Sequence, residues 1–175
     1  MKKMVWPVLL AFSAMQAHAA QEVVTEPLRL VTFAYQSEVW EGRSNLRKEP
    51  NYAIRFNDSG LVFSIMEDKA KPGEDSADKI LAVIVKGLRN DFEMTPSDAM
   101  DKVLVSEGWS CRSFKVKRIG TGTVGLSRSC VKLFGKQFAW MTIINPAEVI
   151  DEPTQEALNQ VLASLKDAKK VELRP

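Results

Sequence analysis

Apolar residues recur along this chain with two different periods, and the switches between them mark out its elements. Residues 20–27 are polar and read as a frayed lead-in. Residues 28–35 (LRLVTFAY) alternate and are rich in strand formers, which predicts a strand. Residues 36–51 carry Trp40 but no clean period, and read as a loop with a short extended piece. In "YAIRFNDSGLVFSIME" two alternating runs flank Asn57-Asp58-Ser59-Gly60, which predicts a hairpin. Tyr52, Ile54 and Phe56 then share a face with Leu61, Phe63 and Ile65.

The period changes to helical after "KPGEDSAD". A helix is expected over about 76–90, with Ser76 as N-cap, Asp78 in the first turn and Ile80, Val83, Ile84 and Leu88 as the buried stripe. Thr95-Pro96-Ser97-Asp98 has the form of a second helix start, with Thr95 capping and Pro96 in the first helical position, and Gly108 would end that helix. Strands follow at about 109–119, 122–134 and 137–145, joined by turns at Gly120-Thr121 and Gly135-Lys136. A last helix is expected over about 152–169, with Leu158, Val161, Leu162 and Leu165 on its apolar side. Strands and helices are grouped rather than alternating. That order predicts an α+β fold: an antiparallel sheet with helices packed on one face and no parallel doubly wound sheet.

The turn at Gly120-Thr121 has a consequence for the only two cysteines. A two-residue turn there makes the numbers of opposed residues sum to 241, and Cys111 and Cys130 satisfy that sum. Opposed strand residues lie about 4.5–5.5 Å apart at Cα, within reach of a disulfide. With this turn the cysteines occupy a hydrogen-bonded site, the wider kind; a longer Gly-Thr-Gly-Thr loop or a bulge would alter the geometry. A disulfide-stapled hairpin is therefore expected, in preference to a redox dithiol, which usually has Cys-X-X-Cys spacing at a helix start. The pattern Gly120-x-Gly122-x-x-Gly125 lacks the following helix that a dinucleotide loop needs, and reads as turn chemistry.

The same register sorts side chains into two faces. Phe114, Val116, Val131, Leu133, Phe138, Trp140 and Ile144 form an apolar face, expected to meet the helices. Cys111, Lys115, Lys117, Leu126, Arg128, Cys130, Lys132, Met141 and Ile143 form the other, where cations are mixed with apolar residues. From 109 to 136 there are seven basic residues and no acidic one. Lys115, Lys117, Arg128, Lys132, Leu126, Met141 and Ile143 are accordingly the candidate binding surface for an acidic protein or an anionic envelope component. The bland alternative is a solvated strand face whose lysines discourage edge pairing.

The N-terminus bounds the setting. Lys2 and Lys3, the apolar run from 4 to 15 and Ala17-His18-Ala19 together have the form of a bacterial signal peptide, expected over 1–19 with cleavage before Ala20. The expected mature protein is periplasmic or secreted and has no transmembrane anchor. It would be one domain, 20–175, of 156 residues (175 less 19). Cleavage removes the only histidine, His18, and with it Ser-His-Asp and Cys-His chemistry and the usual zinc sites. Lys+Arg falls from 24 to 22 as Lys2 and Lys3 leave, against 22 Asp+Glu. A formally neutral chain has no global field for nucleic acid. No metal or other cofactor is expected.

Enzyme signatures are weak. Ser76-Ala77-Asp78-Lys79 matches S-x-x-K, but Ser76 is better placed as a helix cap and no K-T-G follows. The carboxylates Glu67/Asp68 and Glu74/Asp75 could pair for glycoside hydrolysis, but they flank a Pro-Gly loop and read more simply as solvated.

The hairpin "YAIRFNDSGLVFSI", a following helix, an antiparallel meander and the closing helix "TQEALNQVLASLK" together resemble the PsbP/DcrB-like α/β sandwich. The resemblance is one of topology. It covers about two thirds of the chain and implies a non-enzymatic accessory or assembly protein with no shared catalytic set to carry over. A non-enzymatic periplasmic binding protein is the leading expectation. An immunity protein against a periplasm-acting toxin is the first alternative, and a small carboxylate hydrolase the second.

Overall fold

Two antiparallel sheets and two helices make up the structure, a computed structural model that describes residues 23–44, 51–56, 59–103, 105 and 107–168. The expected signal segment lies outside the described residues. In chain order the elements are β1 (Val23–Pro27), β2 (Val31–Gln36), β3 (Trp40–Ser44), β4 (Asn51–Phe56), β5 (Val62–Lys69), α1 (Ala77–Leu88), β6 (Phe92–Pro96), β7 (Ser110–Arg118), β8 (Val124–Phe134), β9 (Gln137–Asn145), α2 (Glu152–Ser164) and β10 (Lys166–Asp167). The large sheet has the order β3-β4-β5-β9-β8-β7-β6, and the small one β1-β2-β10. The fold is α+β, as the grouping of elements implies.

The two helices divide between the two faces of the large sheet, which corrects the one-face expectation. Helix α1 sets Ile80, Leu81 and Val85 on Phe114, Val116, Val131 and Phe138. Its buried stripe is rotated from the expected one, so that Val83 lies 52% exposed. Helix α2 sets Leu158, Val161 and Leu162 into a larger core on the opposite face. There Val31 and Phe33 of the small sheet meet Phe63, Ile65, Met141 and Ile143. Each fully buried side chain of this size contributes about 1.5–3 kcal/mol, so this second layer is the principal core.

Local chemistry explains where the helices start. The Ser76 hydroxyl accepts from Lys79 N–H at 3.3 Å, and the Asp151 carboxylate accepts from Thr154 N–H at 2.8 Å. The Thr154 hydrogen bond holds the Asp151 carboxyl below its ordinary range. Stability linked to a depressed carboxyl pKa is present above the unfolded value and lost as pH falls through the folded one. Asp151→Asn keeps a capping oxygen but cannot titrate. Its melting temperature should therefore fall less steeply than the wild type's below the ordinary carboxylate range, as scanning calorimetry against pH would show.

Three elements differ from the sequence expectation. Residues 92–96 form the edge strand β6, paired with β7 from Phe92↔Arg118 to Pro96↔Phe114, where a helix start was expected. Pro96 at the end of an edge strand removes no ladder bond that the sheet needs. The strand also turns Phe92 and Met94 toward the α1 core. Residues 97–103 make successive turns, Asp101 N–H to Asp98 C=O and Val103 N–H to Met100 C=O, and bury Met100 and Val103. Strand β1 replaces the expected frayed lead-in, because β2 offers it a five-residue register from Val23↔Gln36 to Pro27↔Thr32. Finally, α2 stops at Ser164, whose hydroxyl turns back to Val161 C=O and across to Ala34 C=O, and β10 then joins β2.

Candidate functional site

The hairpin β7–β8 holds the residues singled out from the sequence, and its register is the expected one: Cys111 faces Cys130 and Lys117 faces Val124. The loop is longer than the expected two-residue turn. Arg118 N–H donates to Thr123 C=O at 2.8 Å and Gly122 N–H to Arg118 C=O at 2.9 Å, leaving 119–122 as a four-residue loop. Gly120 and Gly122 both take positive φ there, which side chains disfavour. Lengthening the loop by one residue on each side keeps every partner but exchanges the two kinds of pair. With Arg118/Thr123 hydrogen-bonded, Cys111/Cys130 falls on a non-hydrogen-bonded site, where Cα atoms approach most closely. The disulfide is formed, with a Cα separation of 4.1 Å.

The predicted binding face is mostly interior. Leu126 is 2% exposed, and Met141 and Ile143 are fully buried beneath α2 and the small sheet. Sequence spacing put these residues on one face correctly. Their neighbours Lys115, Lys117 and Lys132 suggested solvent, but those cations lie toward the rim of the sheet while its centre is apolar.

Each of those cations has a partner. Arg128, with its side chain 12% exposed, is the most committed. Its Nη1 donates to Met100 C=O at 3.1 Å, to Asp101 Oδ1 at 2.7 Å and to Ser113 Oγ at 2.7 Å. This node clamps the 97–103 turns onto the sheet. Lys132 bonds Asp167 at 2.6 Å and lies 5.4 Å over the Phe134 ring. Lys115 and Lys117 pair with Glu148 and Glu93 at 2.6 and 3.4 Å, both lysine side chains being 52% exposed. Exposed pairs of that kind contribute little to stability and exchange readily. Arg128→Met should lower stability by about 2 kcal/mol, because it removes the charge-assisted hydrogen bonds that tie Met100, Asp101 and Ser113 together. Urea denaturation measures this, and hydrogen exchange should rise selectively over 97–103.

The four carboxylates considered for hydrolysis are not brought together. Glu67 is buried and accepts three backbone N–H groups, from Arg29, Leu30 and Val31, at 3.0, 2.7 and 3.2 Å. Asp68, next along the strand, points to the opposite face. Glu74 accepts from Lys71 N–H at 2.9 Å, and Asp75 pairs with Lys79 at 2.6 Å. The Lys79 hydrogen bond and charge lower the Asp75 pKa. Among the described residues, no group of three or more His, Cys, Asp or Glu is arranged to hold a metal ion. No described helix is long and apolar enough to cross a membrane.

A cleft that the sequence did not single out lies at one end of the large sheet, on the α1 side. Phe92, Val116, Val124, Ile144 and Pro146 line a volume of about 230 Å³, and Arg118 stands beside them. Its signal was the spacing: Arg118 follows Phe114 and Val116 at intervals of two, which places a cation on the apolar face.

No family model matches the sequence, and no curated protein matches it. Solved structures do. A crystal structure from Bacteroides thetaiotaomicron is 18% identical over 89% of this chain, with a TM-score of 0.53; this chain spans about half of it (51%). The solution structure of the cyanobacterial PsbP protein CyanoP from Synechocystis is 10% identical with a TM-score of 0.51, over 89% of this chain and 97% of that one. Identities this low speak to architecture alone. The chain thus has a PsbP-like fold.

Proposed function

We propose that this protein is a non-enzymatic accessory protein of the bacterial periplasm that engages an anionic partner through the outer part of the β7–β8 hairpin. The observation that carries the reading is the disposition of β7. Its Lys115 and Lys117 stand on one face in solvent with only exposed glutamates as partners. The corrected footprint excludes Leu126, Met141 and Ile143, which are buried, and Arg128 and Lys132, whose charges are held by Asp101 and Asp167. An incoming acidic surface displaces Glu93 and Glu148 at small cost. The A-x-A pattern before Ala20 and a disulfide suited to an oxidising compartment support the location. The PsbP-like fold supports the accessory role.

Reversing both charges, Lys115→Glu with Lys117→Glu, should abolish capture of the partner from envelope extract. The melting temperature should stay within a few degrees of wild type, because exposed pairs contribute under about 1 kcal/mol each. A partner that binds the double variant as tightly as wild type would place the interaction elsewhere.

A further inference from the structure

We propose that the cleft at the end of the large sheet is a binding site for a small monoanionic amphiphile, a carboxylate with a short apolar body. This site is separate from the partner surface on Lys115 and Lys117, which project from the other face of β7. The cleft continues into a narrower space beneath Leu88 and Met94, and the two share Phe92, Val116 and Ile144 as a wall. At about 230 Å³ it lies below the roughly 300–1,000 Å³ of sites for drug-sized ligands, which sets the modest size of the body.

The walls are tied in place. The Asn145 side-chain amide donates to Ala147 C=O at 2.9 Å and to Val149 C=O at 3.0 Å, pinning the segment that follows β9. The end of β9 lies so close to β8 that a Cβ on Gly125 would collide with the Asn145 carbonyl. On the opposite rim, Ile119 N–H donates to Asp91 C=O at 2.9 Å and joins the hairpin loop to the start of β6.

Arg118 decides the charge of the ligand. Unlike Lys115, Lys117, Arg128 and Lys132, it has no carboxylate partner among the described residues. No acidic side chain lines the cleft, whose other polar residues are Thr123 and Asn145. The Asn145 amide donors are already committed to the roof. A guanidinium at the edge of an apolar wall accepts a carboxylate in bidentate fashion while the apolar body takes the cleft.

The test uses the oxidised protein from Ala20 onward and amide NMR. Octanoate should shift the signals of Phe92, Val116, Val124 and Ile144. Octanol should bind about tenfold more weakly, as expected when one charge-assisted hydrogen-bonded pair is lost, and octylammonium should not bind. Arg118→Gln should reduce octanoate to the affinity of octanol and leave octanol unchanged. Ile144→Phe should fill the cleft and remove both. The Lys115→Glu/Lys117→Glu variant should bind octanoate as wild type does, which separates this site from the partner surface. Phosphatidylglycerol vesicles form the other arm: binding to vesicles without binding to octanoate would mean a lipid surface and overturn the proposal. So would octanoate binding that ignores Arg118→Gln, shifts confined to other residues, or no binding at all.

Discussion

Replacing Glu67 with alanine should destabilise the protein by on the order of 3 kcal/mol, the largest effect expected from a single side chain that lies outside any apolar cluster. The Glu67 carboxylate, carried on β5 of the large sheet, accepts backbone N–H groups from Arg29, Leu30 and Val31, where the chain enters β2 of the small sheet. Hydrogen bonds to an ionised acceptor contribute about 1.5–3 kcal/mol each, and alanine leaves three donors without one. The three do not add fully, because water reaches the exposed Arg29 side of the site. Glu67→Gln should fall between, since its Oε1 still serves two donors while its NH2 faces the third. Chemical denaturation gives the free energies. Amide exchange should localise the loss to 29–31 and the β1–β2 pair. An alanine variant as stable as wild type would show that the two sheets are held by their apolar contact alone.

Removing the disulfide is the second large effect. Reduction, or Cys111→Ala with Cys130→Ala, releases a loop whose closure constrains the unfolded chain by about 3 kcal/mol. For a chain of this size that corresponds to a fall in melting temperature of roughly 6–12 °C. The hairpin loop and the flanking ladder set the register without the bond, so the reduced protein should still fold and keep the native pairing. Reduced and alanine forms should differ, because Cys130 is fully buried and its sulfur is part of the core. A melting curve unmoved by reductant, with two free thiols found by mass spectrometry, would contradict both the bond and its contribution.

Much of this architecture was legible because local chemistry and long-range packing agree. Ser76 announces α1, the Gly120 and Gly135 turns divide the meander, and the count of residues between the cysteines fixes their opposition. Disagreement arose where a local signal had two physical uses. Thr95-Pro96-Ser97-Asp98 suits a helix start, yet the same proline suits the end of an edge strand, and the need to bury Phe92 and Met94 decided the matter. The candidate surface failed for a related reason. A period of two says which residues share a face but not what lies on that face. Met141 and Ile143 were grouped correctly with Lys115 and Lys117, and only the tertiary contact with α2 and β2 shows that the centre of that face is interior. The Arg118 cleft depends on the packing of β6, α1 and the segment after β9, elements far apart in sequence.

The small sheet joins the two ends of the folded chain, since β10 at Lys166–Asp167 pairs with β2 at Val31 and Thr32. During synthesis β2 emerges early, with Phe33 and Tyr35 destined for the core, but its outer partner β10 and its covering helix α2 follow only after every strand of the large sheet. Until then the β10 side of that strand has no partner, and the core face that α2 covers stays open. A nascent chain stalled short of α2 would carry an open strand edge beside a wet core, a form prone to aggregation and to capture by chaperones.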